Sequence, residues 1–227
     1  MFQNKTALLL DMNSTFMFGE DRFGNNENYS EHYKSIGGHL SIEFVNNLIR
    51  RVFEYLDCRY PSEEYRHSFP SLQSAINAVS TEKLPSSEVD KIIETFSFHE
   101  HGEIPGEYAS ALKRLHEKFT LSLVIDIWSP KDRWVSTFER MGLWNLFSTH
   151  SFSSDHGIVK PSPRPFEMVV EKLGIAKEEC LVVGDSVRRD LGGAHEAGLD
   201  CVLVGGAKDA RAVGAFSNLL EFQKTAQ

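Results

Sequence analysis

The sequence has little cysteine, no strongly basic segment and no long apolar run. Its three cysteines, Cys58, Cys180 and Cys201, are an odd number at wide spacing, and such a set is not typical of a disulfide framework. Cys180 and Cys201 fall at or within short apolar runs, where a cysteine is usually a buried free thiol. The cysteine content therefore predicts a protein of a reducing, cytoplasmic compartment.

Charge and hydropathy argue against nucleic acid and membranes as partners. The 227 residues include 24 basic and 32 acidic side chains, a net charge of −8, with no basic run of the kind that binds a phosphate backbone. The longest apolar stretches are too short to cross a bilayer, and the N-terminal residues lack the apolar region of a secretory signal. The 41% of hydrophobic residues is typical of a soluble globular protein, and the composition leaves the oligomeric state open.

What the sequence does contain is a short apolar run that stops at a carboxylate. Four apolar residues followed by turn-forming residues predict a buried strand, Ala7–Leu10, with Asp11 at its carboxyl end. The same arrangement recurs far downstream, where Leu181–Val183 is followed by Gly184 and Asp185. Ligands bind at the carboxyl ends of strands in open α/β sheets. If the two strands are adjacent and parallel, Asp11 and Asp185 provide oxygen ligands suited to Mg²⁺.

Strands and helices alternate in the C-terminal half of the chain. Further strands are predicted at Leu121–Ile127, Thr149–Phe152, Cys180–Val183 and Cys201–Val204. The predicted helices are Gly106–Lys118, Pro130–Met141, Pro163–Leu173 and Val187–Ala197. This alternation is typical of βαβ units. With the first strand added, it predicts an α/β fold with a doubly wound parallel sheet.

The block between the first strand and this alternating region is helical in pattern. Apolar residues at helical spacing recur over 42–53, 71–79 and 86–98, and Ser41 can cap the first of these helices. No alternating strand pattern interrupts the block. We therefore predict an all-helical unit at residues 21–103, inserted into a core formed by residues 1–20 and 104–227.

Three further charged residues are candidates for the sheet edge where Asp11 lies. Asp126 interrupts a predicted apolar strand, and a cap of the following turn is the interpretation that we favour for it. Lys160 precedes a proline-rich helix entry, from which its ammonium could balance anionic oxygens, although by itself it is typical of a surface lysine. Asp190 lies about one helical turn after Asp185. Asp11 itself is either a turn cap or a nucleophile toward phosphoryl groups.

Taken in this order, the motifs resemble the haloacid dehalogenase-like hydrolase superfamily, in the branch with a helical cap inserted after the first strand. One matching stretch is residues 160–166, with the sequence Lys-Pro-Ser-Pro-Arg-Pro-Phe. The other is the pattern Gly184-Asp185-Ser186, Asp190, Gly193-Ala194 and Ala197-Gly198. The resemblance implies a Rossmann-like catalytic core, a helical cap at 21–103 and a phosphatase-like activity.

The resemblance also implies a role for each charged residue. Asp11 would be the nucleophile. Mg²⁺ would be held by Asp11, by Asp185 and by the backbone carbonyl of Asn13. Lys160 would steady the nucleophile and the transferred phosphoryl group, and Asp190 would orient the lysine or metal-bound waters.

The sequence departs from the family pattern at two places. Asn13 stands where phosphatases of the family usually carry a second aspartate, which protonates the leaving oxygen and later activates water; losing such a group typically costs about 10²–10⁴ in rate. Ile125 stands where the family usually has a Ser or Thr that binds a phosphate oxygen. We predict Ser129 and Asp126, together with Lys160, as the substrate contacts.

Two classes of function follow from these residues. The first is a Mg²⁺-dependent phosphatase that acts on a small phosphorylated metabolite through an aspartyl-phosphate, with acid–base catalysis weakened by Asn13. The second is a catalytically degenerate member that binds a phosphorylated ligand or a partner without turnover. Dehalogenation of a small acid is less favoured, because the Gly184-Asp185-Ser186 turn resembles that of the metal-using members and the family's dehalogenases work without metal.

The tripeptide His99-Glu100-His101 near the end of the helical block contains residue types that bind metals. No further ligand stands at a recognisable spacing from it. We therefore interpret it as a solvated hinge and not as a metal site.

Overall fold

The computed structural model describes residue 2 and residues 4–226. Within that part of the chain, six parallel strands form one sheet in the order β3-β2-β1-β4-β5-β6. The strands are β1 Ala7–Leu10, β2 Thr120–Ile125, β3 Phe147–Phe152, β4 Cys180–Gly184, β5 Asp200–Leu203 and β6 Gly214–Ala215. The helices are α1 Tyr29–Ser35, α2 Ile42–Asp57, α3 Leu72–Val79, α4 Ser86–Glu100, α5 Gly106–His116, α6 Asp132–Arg140, α7 Ser153–His156, α8 Arg164–Leu173, α9 Gly192–Glu196 and α10 Leu219–Ala226. The predicted α/β fold class is confirmed.

The central strand β1 is buried on both faces. Successive side chains of a strand point to opposite sides of the sheet. Leu8 and Leu10 accordingly join a hydrophobic cluster that includes Leu112 of α5, while Ala7 and Leu9 join a second cluster on the other side. Because both faces are covered by helices, a continuous apolar strand is the stable choice here, as the run before Asp11 predicts.

The register of the sheet brings the strand ends together. Leu10 is paired with Leu123 of β2 on one side and with Val183 of β4 on the other. The backbone N–H of Asp11 then donates to the carbonyl of Val183 at 2.9 Å. The residues that follow β1, β2 and β4 therefore meet at one edge of the sheet, which is where a ligand site is expected.

Residues 21–103, which we call the helical segment, contain α1–α4 and a short 3₁₀ turn at Glu63–Tyr65. Ser41 caps α2 by accepting a hydrogen bond from the N–H of Phe44 at 3.2 Å. Most of the buried apolar side chains of the segment form a hydrophobic cluster separate from those of the sheet. Phe18, just before the segment, and Glu103, its last residue, exchange backbone hydrogen bonds of 2.9 and 2.8 Å. The division into a cap at 21–103 and a core at 1–20 and 104–227 stays a prediction.

Several element boundaries differ from the prediction by one or two residues, and two of the differences have a clear local reason. Strand β2 ends at Ile125 and not at Ile127, because the N–H of Ile127 donates to the Ser153 side chain at 3.0 Å instead of continuing the sheet. The single helix predicted over Val187–Ala197 is a π-helical turn, Val187–Leu191, followed by α9. The N–H of Leu191 donates to the carbonyl of Ser186, five residues earlier, at 3.1 Å; such π-helical turns are frequent at functional sites.

The free thiols are placed as the sequence indicates. Cys180 and Cys201 are buried and Cys58 is exposed, and none of the three forms a disulfide. Among the helices in the described part of the chain, none has the length and apolar character that crossing a membrane would require.

Candidate active site

Lys160 joins two carboxylates at the carboxyl edge of the sheet. Its Nζ lies 2.5 Å from Oδ1 of Asp11 and 2.7 Å from Oδ1 of Asp190. A third contact, at 3.2 Å, is with the carbonyl oxygen of Val124 in β2. All three charged side chains are buried, so their charges are compensated by one another and not by water. The structure thus brings together three of the residues that the sequence singled out.

Asp126 positions the lysine and contacts the helical segment. Its Oδ2 accepts the backbone N–H of Lys160 at 2.9 Å and the hydroxyl of Tyr60 at 2.6 Å. The interpretation of Asp126 as a cap of its own following turn is therefore wrong. The carboxylate joins three parts of the chain that are distant in sequence, and this holds the backbone of Lys160 beside the sheet edge.

Asp185 completes a group of three carboxylates with Asp11 and Asp190, which we call the carboxylate cluster. One oxygen from each lies within 4.8 Å of the others. Oδ1 of Asp185 and the side-chain Oδ1 of Asn13 are buried and have no hydrogen-bond partner among the residues that the structure describes. Hard oxygen donors that lack partners are what Mg²⁺ requires, so the residues present fit a divalent cation.

Asp190 is held against the end of β4 by close packing. Its Oδ2 accepts the N–H of Ser186 at 3.0 Å. A Cβ built on Gly184 would lie 2.3 Å from Cγ of Asp190, so a side chain at this position would push the carboxylate away from Lys160. The glycine before Asp185 is therefore required by the approach of Asp190.

Burial and neighbouring charges set the protonation of the cluster. Burial raises the pKa of Asp11 to about 7, although Lys160 lowers it. Burial also raises the pKa of Asp185, and the nearby Asp190 adds to this effect. For Lys160 burial acts against the charge, but Asp11 and Asp190 raise the pKa of its ammonium well above the usual value. The site therefore favours a cation, because any added positive charge lowers the cost of ionising Asp11.

Ser129 is placed by the hinge at the end of the helical segment. Its N–H and that of Trp128 donate to the two carboxylate oxygens of Glu100, at 3.0 and 2.6 Å. Its hydroxyl is buried and has no hydrogen-bond partner in the described part of the chain. A contact of Ser129 with substrate stays a prediction.

The interpretation of His99-Glu100-His101 as a solvated hinge is wrong, because these residues are largely buried. His99 is 5% and Glu100 4% exposed, and His101 contacts Thr137 of α6 through Nε2 at 3.1 Å. The contacts of Glu100 could not be predicted from the sequence, because its partners are backbone N–H groups, which leave no residue-type signal.

Other contacts of the site were also not predicted from the sequence. The hydroxyl of Thr15 donates to Oδ2 of Asp11 at 3.1 Å; its place four residues after Asp11, in the turn, was the available signal. Tyr60, which contacts Asp126, and Arg189, which forms a long ion pair with Asp185, gave no such signal, because a lone tyrosine or arginine in a polar stretch is typical of a solvated surface.

Glu100 makes a testable contribution to the pH dependence of stability. Burial raises its pKa from 4.5 to about 7. The folded state thus binds this proton more tightly than the unfolded state, so the stabilisation is complete below about pH 4.5 and is lost as the pH rises through about 7. Glu100→Gln resembles the protonated form at every pH. We expect urea unfolding to show the free energy of unfolding of the wild type falling, relative to the variant, by on the order of 1–3 kcal/mol between those pH values.

Glu103→Gln, at an exposed glutamate three residues after Glu100, is the control for that measurement, and its pH profile should follow that of the wild type. Parallel pH profiles of the wild type and Glu100→Gln would contradict the assignment of this titration to Glu100.

Comparisons with known proteins agree with this geometry. A family model described as HAD-hydrolase-like matches residues 158–218. The chain is 43% identical over 63 residues to a phosphoserine phosphatase of Thermus thermophilus, and the aligned stretch covers 28% of this chain and 25% of that protein. The chain is also 28% identical over 152 residues to the pyrophosphatase PpaX of Oceanobacillus iheyensis, and this alignment covers 63% of this chain and 69% of that protein. The match thus spans only about a quarter of the length of the phosphoserine phosphatase.

Solved structures with the same fold extend over nearly the whole chain. A 2-haloacid dehalogenase from Pseudomonas syringae superposes with a TM-score of 0.67 at 18% identity, covering 98% of both chains. A HAD phosphatase from Thermococcus onnurineus superposes with a TM-score of 0.64 at 20% identity, covering 97% of both. At these identities the likeness shows the fold.

Proposed function

Because the chain belongs to the haloacid dehalogenase-like hydrolases, we propose that it is a Mg²⁺-dependent phosphatase of small phosphorylated metabolites that works through a phosphorylated Asp11. The observation that carries the proposal is the contact of Lys160 with both Asp11 and Asp190 beside Asp185. A buried lysine fixed between two carboxylates is suited to neutralise an anionic reactant at the first of them.

Asp11, Asp185 and the backbone carbonyl of Asn13 are the proposed ligands of Mg²⁺. Oδ1 of Asp185, which accepts no hydrogen bond from the residues that the structure describes, and the raised pKa of Asp11 support a cation at this place. When bound, the cation would supply positive charge against the phosphoryl oxygens and keep Asp11 ionised.

Asp11 would attack the phosphorus of the substrate. A bond forms between a carboxylate oxygen of Asp11 and phosphorus, and the bond from phosphorus to the leaving oxygen breaks with its electron pair remaining on that oxygen. Lys160 holds the carboxylate in place, and the hydroxyl of Thr15 fixes its other oxygen. Water then attacks the aspartyl-phosphate, which releases inorganic phosphate and restores Asp11.

Asn13 has no titrating group to assist either step. Its amide can neither protonate the leaving oxygen nor accept a proton from water, so we infer that a good leaving group reacts faster than a poor one and that release of phosphate is slow. The experiment that tests the function is a phosphatase screen of the chain, with Mg²⁺, on a panel of phosphometabolites and on 4-nitrophenyl phosphate. Absence of turnover and of a burst on every compound would reject the proposal.

Removing Asp185 should remove the metal. We expect titration calorimetry to show Mg²⁺ binding to the wild type and no detectable binding to Asp185→Ala, because hard cations depend on carboxylate ligands. Asp132→Ala, an exposed aspartate of α6, is the matched control and should bind as the wild type does. Unchanged binding by Asp185→Ala would rule out this ligand assignment.

A further inference from the structure

Lys160 has no free donor for a second anionic group. An ammonium has three N–H donors, and the Nζ of Lys160 already has three oxygens within hydrogen-bond distance, from Asp11, Asp190 and the carbonyl of Val124. A substrate that carries a second anionic group, in addition to the phosphoryl group next to Asp11, therefore needs another cation to bind that second group. Ile125, at the end of β2, offers no hydroxyl in its place.

Arg189 is a cation that lies beside the carboxylate cluster. Its Nη2 lies 3.7 Å from Oδ1 of Asp185, and its Cζ lies 5.9 Å from the centre of the Tyr60 ring. The side chain is 34% exposed, and its guanidinium makes no hydrogen bond to the residues that the structure describes. A planar group with five N–H donors and one long ion pair keeps most of its donors for a ligand.

The surroundings of Arg189 place it inside the site and not on an unrelated surface. Its guanidinium forms the long ion pair with Asp185 of the carboxylate cluster and faces the ring of Tyr60, whose hydroxyl donates to Asp126 beside Lys160. The preceding residue differs, since Arg188 is exposed and has one long contact, 3.4 Å, with the carbonyl of Pro61. Arg189 thus lies between Asp185 of the carboxylate cluster and Tyr60 of the helical segment. The part of the substrate that is not transferred to Asp11 would therefore lie between Asp185 and Tyr60.

We propose that Arg189 binds a second phosphate group of the substrate, so that the substrate class is a phosphoanhydride or a bisphosphorylated compound, with Tyr60 holding the guanidinium in place. The inference rests on the proposed phosphatase function of the same site. A guanidinium binds phosphate through paired, charge-assisted hydrogen bonds, and its face stacks on an aromatic ring. The pyrophosphatase PpaX named among the relatives acts, by its name, on a compound of this class.

Binding without turnover tests the inference directly. The probes are imidodiphosphate, a pyrophosphate analogue with a non-hydrolysable bridge, and inorganic phosphate, each titrated calorimetrically in Mg²⁺. We expect Arg189→Met to weaken imidodiphosphate binding about tenfold to a hundredfold, the effect of losing charge-assisted hydrogen bonds, and phosphate binding by less than about threefold. Arg188→Met makes the same change of charge one residue away and should leave both affinities unchanged.

Kinetics give a second measure. For Arg189→Met we expect KM for pyrophosphate to rise by the same factor, while KM for 4-nitrophenyl phosphate, which has one phosphate, stays within about threefold. Should Arg189→Met fail to fold by circular dichroism, Arg189→Lys keeps the charge without the planar fork and should show a smaller loss, still confined to the ligand with two phosphates.

Equal loss for both ligands would overturn the inference, because Arg189 would then act on the transferred phosphate or on the metal ligand Asp185. Unchanged affinity for imidodiphosphate would overturn it as well. A wild-type chain that hydrolyses no phosphorylated compound counts against the proposed function alone, since the ratio of the two affinities is measured without turnover.

Discussion

Asp11→Asn is expected to reduce phosphatase turnover by at least about 10⁴-fold, to the level of the buffer, as removal of a nucleophile does in other hydrolases. The amide cannot form an acyl-phosphate, and it also removes the charge that Lys160 meets at 2.5 Å. Acid quenching followed by mass spectrometry should find a phosphorylated peptide containing Asp11 in the wild type and none in the variant.

The loss should not come from unfolding. Burial of the Asp11 carboxylate raises its pKa, so the folded state is destabilised by ionising it, and a neutral amide removes that cost. Asp190 remains as a partner of Lys160. Urea unfolding should therefore give the variant a stability equal to or above that of the wild type near neutral pH. Asp132→Asn serves as the control for activity, and substantial turnover by Asp11→Asn would show that another residue is the nucleophile.

Asn13→Asp is expected to raise turnover about 10²–10⁴-fold, the usual effect of one acid–base group. The side-chain oxygen of Asn13 is buried and has no hydrogen-bond partner within residues 4–226 or at residue 2, and Asn13 lies two residues after Asp11 in the sequence. A carboxylate there can activate the water that hydrolyses the aspartyl-phosphate. The measurement is steady-state turnover together with the burst of 4-nitrophenol, which should be prominent in the wild type and absent in the variant.

Two further variants isolate the chemistry of that position. Asn13→Ala keeps the backbone carbonyl and supplies no acid or base, so its turnover should stay as low as that of the wild type. Asn13→Asp combined with Asp11→Asn should be inactive. If the wild type already turns over at an ordinary rate and Asn13→Asp brings no gain, another group is the acid–base, and Asp126 is the first to test, since its carboxylate is held beside Lys160.

The sheet edge was predictable because its signals are local. A four-residue apolar run that ends at Asp11, and a second that ends at Gly184 and Asp185, specify strand and turn within a few residues of sequence. Parallel pairing of two such buried strands then aligns their ends, as the register of Leu10 with Val183 shows. Lys160 and Asp190 needed the order of motifs in addition, because each alone is an ordinary polar residue.

The contacts between the helical segment and the sheet depended on tertiary structure alone. Tyr60 reaches Asp126 across 66 positions of sequence, and Glu100 binds backbone N–H groups of a loop that follows β2. Neither contact has a periodicity or a residue pattern, since both depend on how two hydrophobic clusters are oriented relative to each other. The same holds for Arg189, whose place beside Tyr60 follows from the π-helical turn after β4. Local apolar patterns thus determined the fold and the positions of Asp11 and Asp185, whereas the packing of distant segments decided which further side chains surround them.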